Sequence, residues 1–405
     1  MCRQINPNDF DGSDSERIQA AVSHGGKIVI PARVPDAVAS RDYWLLDRAI
    51  LLPENTTLVL DNCRLKLSDQ SRDNFIRSAN CGVGITDIKT FRNIHILGVG
   101  TVILEGADHP RATGDAAKLL SMDIVKDPSV PYKAVSYGTD AGKAGEKQMS
   151  DWRSIGILLA YVENFSLRNL KLKEAHSWAI SLEHCAFGTI RDLEFSSEGA
   201  KWIDGKFQTL LNQDGLDLRQ GCHDITIENI TGHSGDDLIA LTAIPLAGIH
   251  AGELTSSMVS GHEPHGTRDD VRNIIIHNVL GRSSGHNLVR FLNTSGIKMY
   301  TIILDGVIDV APEGEADQAV VRIGDSNPAW GGVTPLGDTY GFTISNIQGR
   351  ARTMIAIHGS FSDSVISNVI NYNPQCEPVS CKSGMQYMRN VSVVNAITFA
   401  GIEEL

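Results

Sequence analysis

The sequence predicts an all-β fold, a single-stranded right-handed parallel β-helix with a short capping helix at its amino end. Three observations predict it. A short phrase of alternating apolar residues around an Asn or Asp recurs eight times, and its copies never fall closer than 22 residues apart. Thirty-eight glycines (38) punctuate many short Val, Ile and Leu runs, and few stretches show amphipathic helical spacing.

The eight phrases centre on Asn169, Asp192, Asn229, Asn278, Asp305, Asn346, Asn368 and Asn395, as in Phe165-Ser-Leu-Arg-Asn-Leu170 and Phe342-Thr-Ile-Ser-Asn-Ile347. A fixed minimum spacing with variable excess is what a coil of three short strands gives when some turns carry insertions, since each coil must close before the next stacks. An Asn at one recurring place fits a left-handed bend, and its amide can hydrogen-bond to the coil above or below.

Before the repeats, Ser13-Asp14-Ser15-Glu16 reads as a capping box. It opens a short helix with Ile18, Ala21 and Val22 on one face, ending at Gly25-Gly26. Residues 1–30 then cap the solenoid, whose open end would otherwise expose an apolar core and unpaired strand edges. Gly26 to Ile30, Ala49 to Leu52 and Thr57 to Asn62 follow as strands. All 405 residues are read as one β-helix domain, with long loop insertions at 105–152 and 245–270.

Composition narrows the function. Apolar residues make up 42% and charged residues 21%, enough for a large core in an ordinary soluble domain. A net charge of −12 without any Lys/Arg cluster excludes nucleic acid as the expected partner. No apolar run approaches the roughly 18 residues of a membrane span, and Met1 to Pro7 lacks the apolar core of a secretory leader. The expected location is cytoplasmic, or secreted if a leader has been removed, with no membrane partner. Seven cysteines are scattered, and only Cys376 and Cys381 are placed to bridge a small loop.

Two short runs concentrate the acids. Asn212-Gln-Asp-Gly-Leu-Asp-Leu218 carries Asp214, and Ser234-Gly-Asp-Asp-Leu-Ile-Ala-Leu241 carries Asp236 and Asp237. The apolar pairs Leu216/Ile239 and Leu218/Leu241 share the 23-residue offset of Asp214/Asp237, so the runs can stack as neighbouring parallel strands. Such strands lie about 4.8 Å apart. Carboxylates on adjacent rungs therefore approach the separations glycosidases use, roughly 5–5.5 Å for retaining and about 6.5–9.5 Å for inverting enzymes. Turn chemistry alone also accounts for any single Asp-Gly or Gly-Asp pair.

The next rung reads Ser284-Gly-His-Asn-Leu-Val-Arg-Phe291, which sets His286 beside Asp236 and Asn287 beside Asp237; the one after, Val320 to Asp325, carries Arg322. Four successive coils thus present Asp, Asp-Asp, His and Arg at about one place. Strict strand alternation would aim Asp236 and Asp237 to opposite faces, so at least one of them sits at a bend.

In their order, Asn212-Gln213-Asp214, Gly235-Asp236-Asp237, Gly285-His286-Asn287 and Arg322-Ile323-Gly324 resemble the four signatures of the polygalacturonase family (glycoside hydrolase family 28) of the pectin-lyase-like superfamily. Ala175-His-Ser-Trp-Ala-Ile180 resembles the stretch that precedes them there, and the opening helix with Gly26-Lys-Ile-Val-Ile-Pro31 is similar to the superfamily's beginning. The resemblance implies inverting hydrolysis of a pectin-like or related polysaccharide or oligosaccharide, with no metal or organic cofactor. It implies that Asp236 is the general acid and that Asp214 and Asp237 activate water. His286, Arg322 and Asn212 would bind substrate or tune the acid. Three close carboxylates raise one another's pKa, which keeps one of them protonated near neutrality.

The chain departs from the family's Asn-Thr-Asp, Gly-His-Gly and Arg-Ile-Lys at Gln213, Asn287 and Gly324. The missing lysine holds a galacturonate carboxylate in the family; Arg290, or the 245–270 loop, is the candidate to replace its charge. A lyase or epimerase on the same scaffold, and a non-catalytic tailspike-like glycan-binding module, are the alternatives.

Other residues carry weaker signals. His250, His262 and His265 share a loop, as solvated side chains or metal ligands. Trp178, Trp202 and Trp330 serve sugar stacking or packing, Trp330 being the best placed. Asp217 faces solvent or pairs with a neighbour such as Arg219. No dinucleotide fingerprint, nucleophile elbow or phosphate-binding loop is present.

Overall fold

The computed structural model describes residues 5–37, 39–71, 73–82, 85, 87–110, 152–210, 212–244, 249–250, 253–254, 258–259, 267–312, 317–328 and 332–399. The chain forms two compact units, one of residues 1–213 and 245–262, the other of 214–244 and 263–405. Each is built as a right-handed parallel β-helix.

The first unit opens with the helix Asp14–Val22, capped reciprocally by Ser13 and Glu16. Its apolar face, Ile18, Ala21 and Val22, is fully buried. At its start the buried Asp14 carboxylate accepts from Arg33 at 2.9 Å and Arg41 at 2.8 Å. Behind the helix, the strands Gly26–Ile30, Thr56–Asp61, Phe91–Val99, Val162–Lys173 and Ala186–Ser196 pair in parallel in that order. A shorter parallel set runs Ile50–Leu52, Ile76–Ser78, Ile157–Ala160 and Ile180–Glu183. An antiparallel hairpin, Ala200–Ile203 with Lys206–Thr209, stands off this stack.

The second unit repeats the plan. Long strands His223–Ser234, Val271–Ser283, Met299–Asp309, Thr339–Gly349, Phe361–Asn371 and Met388–Thr398 form one parallel sheet. Short strands Leu216–Arg219, Ile239–Ala243, Asn287–Asn293, Ala319–Ile323, Ile355–Ile357 and Val379–Cys381 form the other. Equivalent residues stack from rung to rung, so Ile227, Ile276, Leu304, Ile344 and Ile366 make one buried column. Phe342 meets Phe291 of the other sheet at 5.1 Å and Phe361 of the neighbouring strand in its own sheet at 5.4 Å, both edge to face. Such aromatic pairs add about 0.5–1.5 kcal/mol each beyond burial.

The bends behave as the repeat predicts. Asn169 and Asp192 in the first unit, and Asn229, Asn278, Asn346, Asn368 and Asn395 in the second, have φ between 53° and 58°. The amide of Asn278 donates to the Asn229 side chain, Asn368 to Asn346 and Asn395 to Asn368, each at 3.2 Å. Asp305 is the exception. The register sets it opposite His277 and Ser345, so the bend falls on Gly306 at φ 73°. With no side chain at the bend, Asp305 takes the place of the missing rung by accepting from the Asn346 amide at 2.7 Å.

Cys376 and Cys381 are free thiols, as are Cys63, Cys81, Cys185 and Cys222. The insertion at 105–152 lies almost wholly outside the described residues. Of the one at 245–270, the described parts include the pair Ile249–His250 with Glu253–Leu254, and Val259, whose N–H donates to the Glu183 carboxylate at 3.1 Å. No described helix is long and apolar enough to cross a membrane.

Candidate active site

Asp214, Asp236 and Asp237 all belong to the second unit, where each precedes a short strand. Leu216 pairs with Ile239, and the Gly215 N–H donates to the Asp237 carbonyl at 3.0 Å. Asp214 and Asp237 therefore occupy equivalent places on adjacent rungs. One oxygen of each of the three carboxyl groups lies within 4.8 Å of the others.

Asp236 and Asp237 lie in the bend before Ile239–Ala243, which lets consecutive side chains reach one cluster. That bend is pinned from both sides. The Ser234 and Ser283 hydroxyls donate to the Asp236 carbonyl at 2.6 and 2.7 Å. The Asp237 N–H donates to Asp236 Oδ1 at 3.0 Å.

His286 and Asn287 sit on the next rung as the alignment expects. His286 Nδ1 lies 3.2 Å from Asp236 Oδ1. Asn287 donates to Asp237 Oδ1 twice, from its backbone N–H at 3.1 Å and its amide at 2.8 Å. Asn287 thus holds one acid in a fixed orientation.

Arg322 does not share the row of the acids. The register sets it opposite Arg290, in the row of Ala240 and Asp217, three residues further along each strand. Both guanidinium groups converge on Asp325, Arg290 at 2.7 Å and Arg322 at 2.9 Å. Arg290 also reaches to 3.8 Å from Asp237 Oδ2. Asp325 carries one signal in the sequence, a carboxylate three residues after an arginine at a strand end.

The electrostatics differ across the cluster. Burial pushes Asp236 up to about 6, Asp237 adds to the push, and His286 and Arg290 oppose it. Asp214 is raised well above the ordinary carboxylate range by burial and by Asp217, Asp236 and Asp237. Arg322 is held below its usual value by burial and by Arg290 beside it. Of the three acids, Asp236 is the half-buried one, whereas Asp214 and Asp237 are buried.

Asp217 does not face solvent. It is 1% exposed, one of its oxygens has no hydrogen-bond partner among the described residues, and burial raises its pKa against the field of Arg219. The period of two puts it on one face with Arg219.

The remaining candidates disperse. Asn212 falls in the first unit, at a left-handed turn whose carbonyl accepts from the Ser177 hydroxyl at 3.3 Å. Trp178 packs on the first unit's core beside Trp152 and Cys81. Trp202 is 69% exposed on the hairpin, edge-on to Phe207. Trp330, His262 and His265 lie outside the described residues, as does the side chain of His250. Among the described residues, the three acids are the grouping whose spacing suits a metal ion; Arg290 already brings positive charge to Asp237 there.

No protein-family model and no curated protein matches the sequence. Solved structures do. A 1,3-α-1,4-β-D-galactose-4-sulfate-3,6-anhydro-D-galactose-2-sulfate 4 galactohydrolase aligns over 98% of this chain and 87% of its own, at 11% identity and a TM-score of 0.53. A hyperthermoactive exopolygalacturonase from Thermotoga maritima aligns over 98% and 93%, at 15% identity and a TM-score of 0.48. A tailspike protein of an E. coli bacteriophage, solved with a pentasaccharide, aligns over 97% and 78%, at 13% identity and a TM-score of 0.45. By fold the chain is a parallel β-helix, a fold it shares at 11% identity with the galactohydrolase.

Proposed function

We propose that the chain is a glycoside hydrolase that cleaves a pectin-like or related polysaccharide or oligosaccharide by acid/base catalysis with inversion. The observation that carries this reading is the cluster of three carboxyl groups within 4.8 Å, one of them raised to about 6 beside a histidine.

In this reading Asp236 is the general acid. It is the most accessible of the three, and with its pKa near 6 it holds a proton in mildly acidic solution. It gives that proton to the leaving oxygen as the glycosidic bond breaks. Asp237, oriented by two hydrogen bonds from Asn287 and faced by Arg290, takes a proton from the attacking water. Asp214 stands beside it and holds the water in place. His286 keeps the acid in position, and Arg322 contacts the sugar.

The acid oxygens lie closer together than the roughly 6.5–9.5 Å usual for inverting pairs, so inversion rests on the resemblance of the motifs. A screen of oligosaccharides with the product anomer followed by NMR tests both parts. Reducing ends of inverted configuration are the expected result. A retained anomer overturns the stereochemistry. An unsaturated product absorbing in the ultraviolet would show a lyase, and binding without any bond cleavage a tailspike-like module; either overturns the hydrolase.

A further inference from the structure

The turn that carries His286 is held from beneath by a carboxylate outside the acid cluster. Asn287 pairs with Ala319 on the next rung, which places Asp317 beside that turn, and Asp317 is fully buried. Its Oδ2 accepts the Ser283 N–H at 3.0 Å, at the end of the strand Val271–Ser283. The Ser283 hydroxyl then works in two directions. It accepts the His286 N–H at 3.1 Å and donates to the Asp236 carbonyl at 2.7 Å. The Gln318 N–H, next to Asp317, donates to the His286 carbonyl at 2.9 Å. Both main-chain polar groups of His286 are thus fixed, one through Ser283 and one by the residue after Asp317.

The turn has little else to hold it. Ser284, Gly285 and His286 form a bend between two strands, and Gly285 takes φ +87° with open space where a Cβ would stand. Asp317 is anchored on its far side, where its carbonyl accepts the Arg352 N–H at 3.0 Å. Its Oδ1 is buried and has no hydrogen-bond partner among the described residues. Burial pushes Asp317 up to about 7; the N–H groups of Ser283 and Gly285 and the charge of Arg282 oppose the rise, and Asp309 adds to it. Oδ2 accepts the Ser283 N–H whether or not Oδ1 carries a proton, so the anchor serves on both sides of that value.

At the top of the turn His286 Nδ1 stands 3.2 Å from Asp236 Oδ1. The ring is 44% exposed, so its place follows from the main chain beneath it more than from packing around it. Its positive charge opposes the rise of the Asp236 carboxyl, as does Arg290, whereas Asp237 adds to that rise.

We propose that Asp317 is a positioning residue for the general acid: through Ser283 and Gln318 it fixes the turn that holds the His286 imidazole against Asp236. The catalytic meaning of this contact rests on the reading of Asp236 as the acid; the contact itself does not need turnover. Without Asp317 the turn relaxes, the ring leaves the acid, and Asp236 keeps its proton to higher pH.

The test reads the titration of the Asp236 carboxyl by carbon NMR of aspartate-labelled protein, the signal assigned by its loss in Asp236→Asn. In Asp317→Ala the midpoint should rise by about 1 unit, the scale of losing a nearby opposite charge. Asp317→Asn keeps an oxygen for the Ser283 N–H and should leave the midpoint where it was. In a His286→Ala background, Asp317→Ala should move it no further. If Asp317 acted on Asp236 through its own charge, both substitutions would lower the midpoint. That result overturns the proposal, as does an unmoved midpoint in folded Asp317→Ala or a full shift in the His286→Ala background. Ser283→Ala cuts the same link while leaving the buried carboxyl in place. It should raise the midpoint too, and it decides the question if Asp317→Ala does not fold. Turnover measured alongside should drop by about 10²-fold in Asp317→Ala with KM unchanged, and recover in Asp317→Asn. A raised midpoint with turnover unchanged overturns the positioning role in catalysis. A raised midpoint in a protein whose unaltered form cuts no glycan refutes the hydrolase and leaves the support of His286 by Asp317 standing.

Discussion

Asp236→Asn is expected to strengthen the fold at neutral pH while it removes most of the turnover. The carboxyl is raised from 3.8 to about 6 by burial and by Asp237. A group raised on folding contributes its stability in full below its unfolded pKa and loses it as the pH climbs through the folded value. The unaltered protein thus forfeits stability between pH 4 and pH 7, by about 3 kcal/mol for a shift of about 2 units at 1.36 kcal/mol each. Asparagine has nothing to ionise. The two proteins should have matching urea midpoints near pH 3.5, and the variant should lead by an amount of that order at pH 8. The side chain is 23% exposed, so solvent screening lowers the gain rather than reversing it. Turnover of the unaltered protein should fall as the pH rises through about 6, where the acid loses its proton, and the variant should be slower by about 10²–10⁴-fold. A variant whose stability relative to the unaltered protein does not change with pH would refute the electrostatic argument. One that turns over within tenfold of the parent would refute the role.

Two further predictions concern what surrounds the acids. Asp325→Ala removes the shared partner of Arg290 and Arg322 and leaves two half-buried guanidinium groups facing each other; a loss of about 3–5 kcal/mol in chemical denaturation is expected, with turnover reduced as well. Phe342→Ala empties the middle of the Phe291, Phe342 and Phe361 column. It should cost about 3–5 kcal/mol and leave the rate per folded molecule unchanged, since the ring lies in the core; a drop in rate at full folding would contradict that separation.

The asparagine bends show how much local chemistry a sequence can disclose. A left-handed backbone strongly favours Asn, Asp or Gly, so the bends were visible one by one, and the single misplaced one, at Asp305, fell where a neighbouring glycine competes for the same role. The stacking of Asp214 on Asp237 was equally visible, because their rungs follow at close to the minimum repeat and the apolar residues after them fix the register. His286 and Asn287 were legible across 50 residues because the phrase around them copies that around Asp236 and Asp237.

What the sequence by itself determined is the coil period, the bends and which polar residues share a rung, since all three follow from local backbone preference and from apolar residues that must face inward. Tertiary structure alone decided the burial of Asp217, the clamp of Asp325 on two arginines, the displacement of Arg322 from the acids' row and the closure of Gly324 against Gly359. Those depend on where side chains point once rungs are packed and on how close two backbones come, and no periodicity along the chain encodes either distance.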